Sequence, residues 1–300
     1  MRRWKPAWRR MRFLLLLGWL TPLTYLPRRA GLALMSGLGR LAGRLLPGPR
    51  RRILANAALV FPRQTEAERE AFADRVLRNV LRNAYDFLRL SRYRLEEIEA
   101  LVRIEGLEHL ERARQGRLGV VCLSAHLGCW ELIPYRMRAC GYQTGVVYRR
   151  LRDPSLDAYV AARRRRFGIG TYDRDTGARG MIRCLRSGGL LGVLIDQHTR
   201  VDSVRVPFLG RPAWTPTGAV RLALRTETPI VPVVIDMEAD GRHRLRIGPA
   251  VPIERPGVGG DDEIETLIWR NTARCNEAIG RLIWEAREQW VWFHERWRDA

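Results

Sequence analysis

After about Leu101, short apolar runs take turns with stretches of helical character, and this alternation restricts the fold more than any other feature of the chain. The runs lie at Gly119–Leu123, Thr144–Tyr148, Leu190–Ile195, Ile230–Ile235 and His243–Ile247. Between them stand helix candidates at Trp130–Ala139, Ser155–Phe167, Gly177–Leu185 and Thr217–Leu224. Short apolar runs between turn-formers read as buried strands, and strands separated by helices join a parallel sheet covered on its faces. The expected architecture is a single α/β domain with a largely parallel sheet flanked by helices.

Ahead of that core the chain changes character. No Asp or Glu occurs from Met1 to Pro62, while Arg2, Arg3, Lys5, Arg9, Arg10 and Arg12 precede the apolar run Phe13–Leu26, and Arg28 and Arg29 follow it. The run is shorter than the ~20 apolar residues of a spanning helix. No small-residue cleavage site stands directly after Leu26, so a secretory signal fits poorly. An anchor lying in or dipping into the membrane interface is expected, with Trp4, Trp8 and Trp19 at headgroup depth and the arginines on anionic lipid. A core helix with a solvated basic start is the competing reading.

A second apolar segment, Ala30–Leu46, is spaced by Gly31, Gly37, Gly39 and Gly43, as in a helix that packs closely on a neighbour or rests on lipid. Pro47-Gly-Pro49 should end it. Arg50–Leu59 and Thr65–Tyr93 follow as helices, the second opened by a capping box of Thr65 and Glu68. The expected division is a helical, membrane-associated anchor over 1–49 and a main domain over 50–300. Within the main domain, a helical entry occupies about 50–100, the α/β core about 101–255, and a closing helix (about Asp262–Arg287) with a Trp-rich tail 256–300.

The net charge of +21 concerns partners rather than fold: nucleic acid, an anionic membrane or acidic ligands. Lys5 is the sole lysine, so the charge is carried by arginine, which suits phosphate and carboxylate recognition. The five cysteines are an odd number with no CxxC pair, which leaves a zinc or disulfide framework weakly supported and suits a reducing compartment. No metal is expected.

The chemistry concentrates in Leu118–Glu131, LGVVCLSAHLGCWE. An apolar strand leads to Ser124, then come His126, a turn at Gly128, and Glu131 as a new helix begins. Ligands of open α/β sheets bind beyond the carboxyl ends of strands, where His126 stands. A hydroxyl becomes a good nucleophile when a base takes its proton, and a carboxylate on the other imidazole nitrogen fixes the tautomer. His126 as base with Glu131 as its partner is therefore expected, the turn at Gly128 bringing them together. The spacing alone is unspecific: His294 and Asp299 share it, but no strand precedes His294, so that match reads as accidental.

These residues also resemble a known family, the lipid A biosynthesis (lauroyl and myristoyl) acyltransferases within the lysophospholipid acyltransferase superfamily. His126-Leu-Gly-Cys-Trp-Glu131 resembles its H-x-G-N-W-E block. Asp196-Gln197, Val206-Pro-Phe-Leu-Gly210 and Thr215-Pro-Thr-Gly218 are similar to its D-Q/H, V-P-F-F-G and threonine-glycine stretches. Arg51-Arg52, Asn56 and Phe61-Pro62 resemble its N-terminal signature, and Glu288-Gln-Trp-Val-Trp-Phe-His294 with Arg296-Trp297 its closing block. The resemblance implies the superfamily fold, no metal or resident cofactor, and acyl transfer to a hydroxyl of a glycolipid or lipid A precursor. The donor it implies is an acyl carrier protein or coenzyme A thioester, and the place the cytoplasmic face of a bacterial inner membrane. It also implies substrate contacts at Arg149, Arg164 and Arg166, with Asp196 and Gln197 facing the site. One position departs from the pattern: Cys129 stands where the family block has asparagine.

Cys129 lies close enough to His126 in sequence to suggest a covalent thiol mechanism, but a free cysteine beside Trp130 reads more simply as a small buried hydrophobe. A phosphatidylinositol mannoside or a lysophospholipid is an alternative acceptor. The alternative of another class is a non-enzymatic basic protein that binds membrane or nucleic acid. No zinc spacing, helix-turn-helix or RNP-like motif supports a nucleic-acid partner.

Overall fold

The computed structural model describes residues 18, 20–45, 47–115, 119–151, 153–199, 201–255 and 261–298. Among the described residues, a 3-10 turn at Pro22–Tyr25 is followed by the helices α1 (Arg28–Leu45), α2 (Pro47–Val60) and α3 (Glu66–Arg89). Helix α1 ends at Leu45, just ahead of Pro47-Gly-Pro49 as expected, and Pro47 opens α2, where a missing backbone N–H costs nothing. At the start of α3 the capping box forms, with the Thr65 hydroxyl accepting from Glu68 N–H and the Glu68 carboxylate accepting from Thr65 N–H.

α1 has two faces. Gly31 and Gly39 lie against α3: a Cβ on Gly31 would collide with the Tyr85 ring, and one on Gly39 would sit 2.6 Å from Arg78 Cα. On the other face Leu34, Leu38, Leu41 and Leu45 are exposed, spaced as one stripe along the helix. Most of the anchor expected over 1–26, including Trp4, Trp8 and Trp19, lies outside the described residues. Among the described residues no helix is long and apolar enough to cross a membrane.

The sheet is mostly parallel, as expected. Its strands are β1 (Val102–Glu105), β2 (Val120–Ser124), β3 (Thr144–Tyr148), β4 (Gly170–Asp173), β5 (Leu190–Leu194), β8 (Ile230–Met237) and β9 (His243–Ile247), in the order β1-β9-β8-β2-β5-β3-β4. β8 and β9 pair antiparallel; the other neighbours run parallel. Helices α4 (Leu95–Leu101), α5 (Leu107–Arg114), α6 (Leu132–Ala139), α7 (Pro154–Arg166), α8 (Ala178–Arg186) and α9 (Gly218–Thr226) connect and cover it, and α10 (Asp261–Glu285) closes the chain. β6 (Ser203–Phe208) and β7 (Arg211–Pro216) form a separate hairpin.

The expected strands all form. β1 and β4 escape a hydrophobic reading because they are the two sheet edges, short and only partly buried, so their sequences VRIE and GTYD carry polar residues. Central β2 and β8 are buried along their whole length. Buried side chains pack on each side of the sheet, and on one side the tail adds an aromatic layer of Trp290, Trp292, Trp297, Phe208, Phe61 and Phe72.

Candidate active site

β2 and β5 are parallel neighbours, with Ser124 opposite Leu194. Two residues beyond each paired end come His126 and Asp196, so the register itself delivers these side chains to the same place. His126 Nδ1 lies 2.8 Å from Asp196 Oδ1, and the His126 backbone N–H donates to Oδ2 at 2.8 Å. A third donor arrives from the C-terminal tail: the Trp290 indole N–H binds Oδ2 at 2.7 Å. Asp196 is fully buried, whereas the His126 side chain is 24% exposed, so the ring can be reached from outside and its acid cannot. Burial by itself would raise the Asp196 carboxyl, but the His126 charge, the hydrogen bonds from His126 and that from Trp290 outweigh it and hold it below its ordinary range. An ionised Asp196 accepts the Nδ1 proton, which leaves Nε2 as the basic nitrogen.

The expected pairing of His126 with Glu131 is not formed. Glu131 stands at the N-cap position of α6 without a side-chain capping bond, and its carboxylate instead takes a two-pronged bond from Arg164, at 2.7 Å from Nε and 2.9 Å from Nη2. The backbone explains this. Gly128 turns the chain at φ +59, and a Cβ there would strike the Ile235 carbonyl. His126 is left at the strand end beside β5, while Glu131 enters the first turn of α6 and meets α7. The two acids of this region therefore have separate partners.

Glu131 and Arg164 are both buried, and Arg164 is held more firmly protonated because Glu131 outweighs the cost of its burial. Arg164 Nη1 is buried and has no hydrogen-bond partner, so one guanidinium donor remains unused. The Arg163–Arg166 run thus divides by helical phase: Arg164 turns inward and Arg165 and Arg166 are exposed. Arg163 donates to the Leu88 carbonyl and Arg166 to that of Ser91, both at the end of α3 and not at His126. Arg149 is exposed at the end of β3, and Gln197 is half-buried directly after Asp196.

Other residues of the neighbourhood were harder to foresee. His126 meets Trp130 edge-on at 4.9 Å between ring centres. His294, set aside in the sequence as accidental, comes near enough to Asp196, His126, His198 and Arg296 to feel their charges; burial is the main reason its imidazole is depressed. Its spacing partner Asp299 lies outside the described residues. Arg296 is wholly buried, donates to the Trp214 carbonyl and the Thr215 hydroxyl, and is pushed down to about 10 by burial. Cys129 is only 2% exposed, and burial pushes its thiol far above the ordinary range, which opposes any thiolate at this position. Among the described residues no cluster of His, Cys, Asp or Glu suits a metal ion.

Asp196 carried one usable signal in the sequence: it ends a strong apolar strand, as His126 nearly does. Trp290 carried none that distinguished it from the other tryptophans of the tail.

The family model described as bacterial lipid A biosynthesis acyltransferase matches residues 5–299. The chain is 29% identical over 261 residues to the lipid A biosynthesis myristoyltransferase of Escherichia coli K12, covering 86% of this chain and 78% of that protein. It is 27% identical over 267 residues to the lipid A biosynthesis lauroyltransferase of the same organism, covering 87% and 83%. Against lipid A biosynthesis acyltransferase 2 of Shigella flexneri it is 26% identical over 259 residues, covering 86% and 80%.

Proposed function

The chain belongs to the bacterial lipid A biosynthesis acyltransferase family, and on that premise we propose that it acylates a hydroxyl of a lipid A-type glycolipid from an acyl thioester. That it is an acyl-transferring enzyme follows from the family itself. The observation that carries the residue assignment is the 2.8 Å contact between partly accessible His126 and buried Asp196 at the carboxyl ends of adjacent strands. His126 Nε2 takes the proton of the acceptor hydroxyl as its oxygen attacks the thioester carbonyl. The C–O bond forms, the C–S bond breaks, and the proton passes from His126 to the departing thiolate. Asp196 steadies the imidazolium between those events, the task of the acid in a Ser-His-Asp triad, with the substrate's hydroxyl in place of serine.

Glu131 serves this reading through Arg164. Its carboxylate fixes the guanidinium as a positive charge held in place, which steadies a phosphate or developing oxyanion of the substrates. Arg149, Arg166 and Gln197 remain proposed substrate contacts at the rim. The donor thioester is carried by acyl carrier protein or coenzyme A; the strongly basic surface favours the acidic carrier protein.

The place of action is the cytoplasmic face of the inner membrane. Support comes from α1, where Leu34, Leu38, Leu41 and Leu45 are 42%, 39%, 46% and 65% exposed in a segment free of acidic residues. Such a helix suits an interface, apolar stripe in lipid and arginines among headgroups. Replacing Leu34 and Leu41 by Ser should shift the protein toward the soluble fraction without lowering its melting temperature. An unchanged membrane fraction counts against the surface.

Mass spectrometry of lipids from cells carrying wild type or His126→Ala tests the function directly. A glycolipid one acyl chain lighter should accumulate with the variant, and its headgroup names the acceptor. Identical lipid profiles would sink the proposal.

A further inference from the structure

We propose that Trp290 is a positioning residue for the His126–Asp196 pair, its indole N–H governing how strongly Asp196 holds the imidazole proton. The inference rests on the reading of that pair as catalytic. The three donors on Asp196 are unequally shared: Oδ2 takes the His126 backbone N–H and the indole N–H, and Oδ1 takes the imidazole. Two fixed donors on one oxygen pin the carboxylate plane, so Oδ1 stays aimed at Nδ1.

Trp290 is itself held without help from Asp196. It forms a β-bridge with Leu127, and Gly128 N–H donates to the neighbouring Gln289 carbonyl at 3.1 Å. The Gln289 side chain exchanges two 2.8 Å hydrogen bonds with the Met237 backbone. The indole ring packs on Trp292 at 5.0 Å and on Phe208 at 5.6 Å. Its N–H is thus directed by the tail and the sheet, and Asp196 meets a donor already in place. The other fully buried indole of the tail behaves differently: Trp292 donates to the Arg287 backbone carbonyl. Both rings fill the core, but one also addresses a catalytic carboxylate.

A donor on a carboxylate lowers its basicity. Without the indole N–H, Asp196 draws the imidazole proton more strongly, the imidazolium is favoured, and the neutral base is lost at higher pH. His294 lies within electrostatic reach of both members of the pair and Arg296 within that of Asp196, with His198 in turn near His294, and none of them changes in the substitution.

The test compares Trp290→Phe with Trp292→Phe in the full chain, reading kcat, KM and the pH profile of kcat/KM with an acyl thioester and lipid acceptor. For Trp290→Phe, kcat should fall about ten-fold with KM nearly unchanged, the scale expected for one hydrogen bond to a charged group. Its acidic limb should move upward by about half a pH unit or more, as removal of a carboxylate's donor requires. Trp292→Phe should melt earlier with its acidic limb in place. A Trp290→Phe limb that overlays wild type, or an equal shift in Trp292→Phe, overturns the proposal. If Trp290→Phe does not fold, spectra of 15N-tryptophan-labelled wild type and Asp196→Asn decide: one indole proton should shift between them, and an unchanged indole region overturns the proposal. Wild-type activity in Asp196→Asn would instead remove the catalytic reading of the pair; a crippled Asp196→Asn beside an unmoved Trp290→Phe profile removes only the role of Trp290.

Discussion

Two buried aspartates in this molecule each hold a histidine ring nitrogen at 2.8 Å, Asp196 with His126 and Asp86 with His243. In the second pair both side chains are fully buried, and Asp86 also receives a two-pronged bond from Arg28 at 2.9 and 2.6 Å and the Tyr93 hydroxyl at 2.6 Å. Asp86 thereby ties α1, α3 and β9 together. At Asp196 no arginine among the described residues donates a hydrogen bond, the donors are the histidine itself and one indole, and the histidine side chain is 24% exposed. A carboxylate already neutralised by a guanidinium stabilises structure. One whose charge is answered chiefly by an accessible imidazole is suited to support proton transfer. The Asp–His contact alone does not separate a catalytic dyad from a structural clamp; exposure and the third partner do.

The largest effect that tests this contrast is on turnover. His126→Ala should lower kcat/KM by about a thousand-fold, within the range for loss of a general base. His243→Ala, assayed per folded molecule, should stay near wild type. Comparable losses in both would erase the distinction between the two pairs. Next in size is stability. Asp86→Asn leaves Arg28 partly buried without its carboxylate and should cost about 3–5 kcal/mol in denaturant unfolding. Asp196→Asn should cost less stability and more activity.

The pH dependence sharpens the same point. Burial would raise Asp86, but His243 and Arg28 outweigh it and hold the carboxyl far below its ordinary range. A depressed carboxyl contributes its full stability above the unfolded value, near pH 4, and loses it as pH falls toward the folded value. Wild type should therefore lose stability steeply below about pH 4, and Asp86→Asn should show a flatter acid limb. Smallest of all, Cys129→Ala should retain most activity and lose about 1 kcal/mol, as expected for trimming a small buried side chain. Abolished transfer in that variant, with activity surviving in His126→Ala, would reverse the mechanism.

Much of this was legible in order along the chain. Apolar period and turn residues mark the central strands because those strands are buried throughout, and the edge strands β1 and β4 escape because they are only partly buried. His126 stood out as a titratable group after a strand, and Arg164 and Glu131 were both among the candidates, though not as partners of each other. Glu131 looked like the partner of His126 because it was the nearest acid in sequence, a local argument that the turn at Gly128 defeats.

By itself, the sequence determined the α/β class, the strand that presents His126, the basic acid-free N-terminal part and membership of the family, since each is written in local pattern or in motif order. Only the tertiary structure decided which acid sits against which histidine. Asp196 lies 70 residues from His126 and Trp290 lies 94 from Asp196, and these three meet because β2 chose β5 as its neighbour and the tail folded back over Leu127. Strand adjacency is settled by how the whole sheet packs, a property that no window of sequence contains.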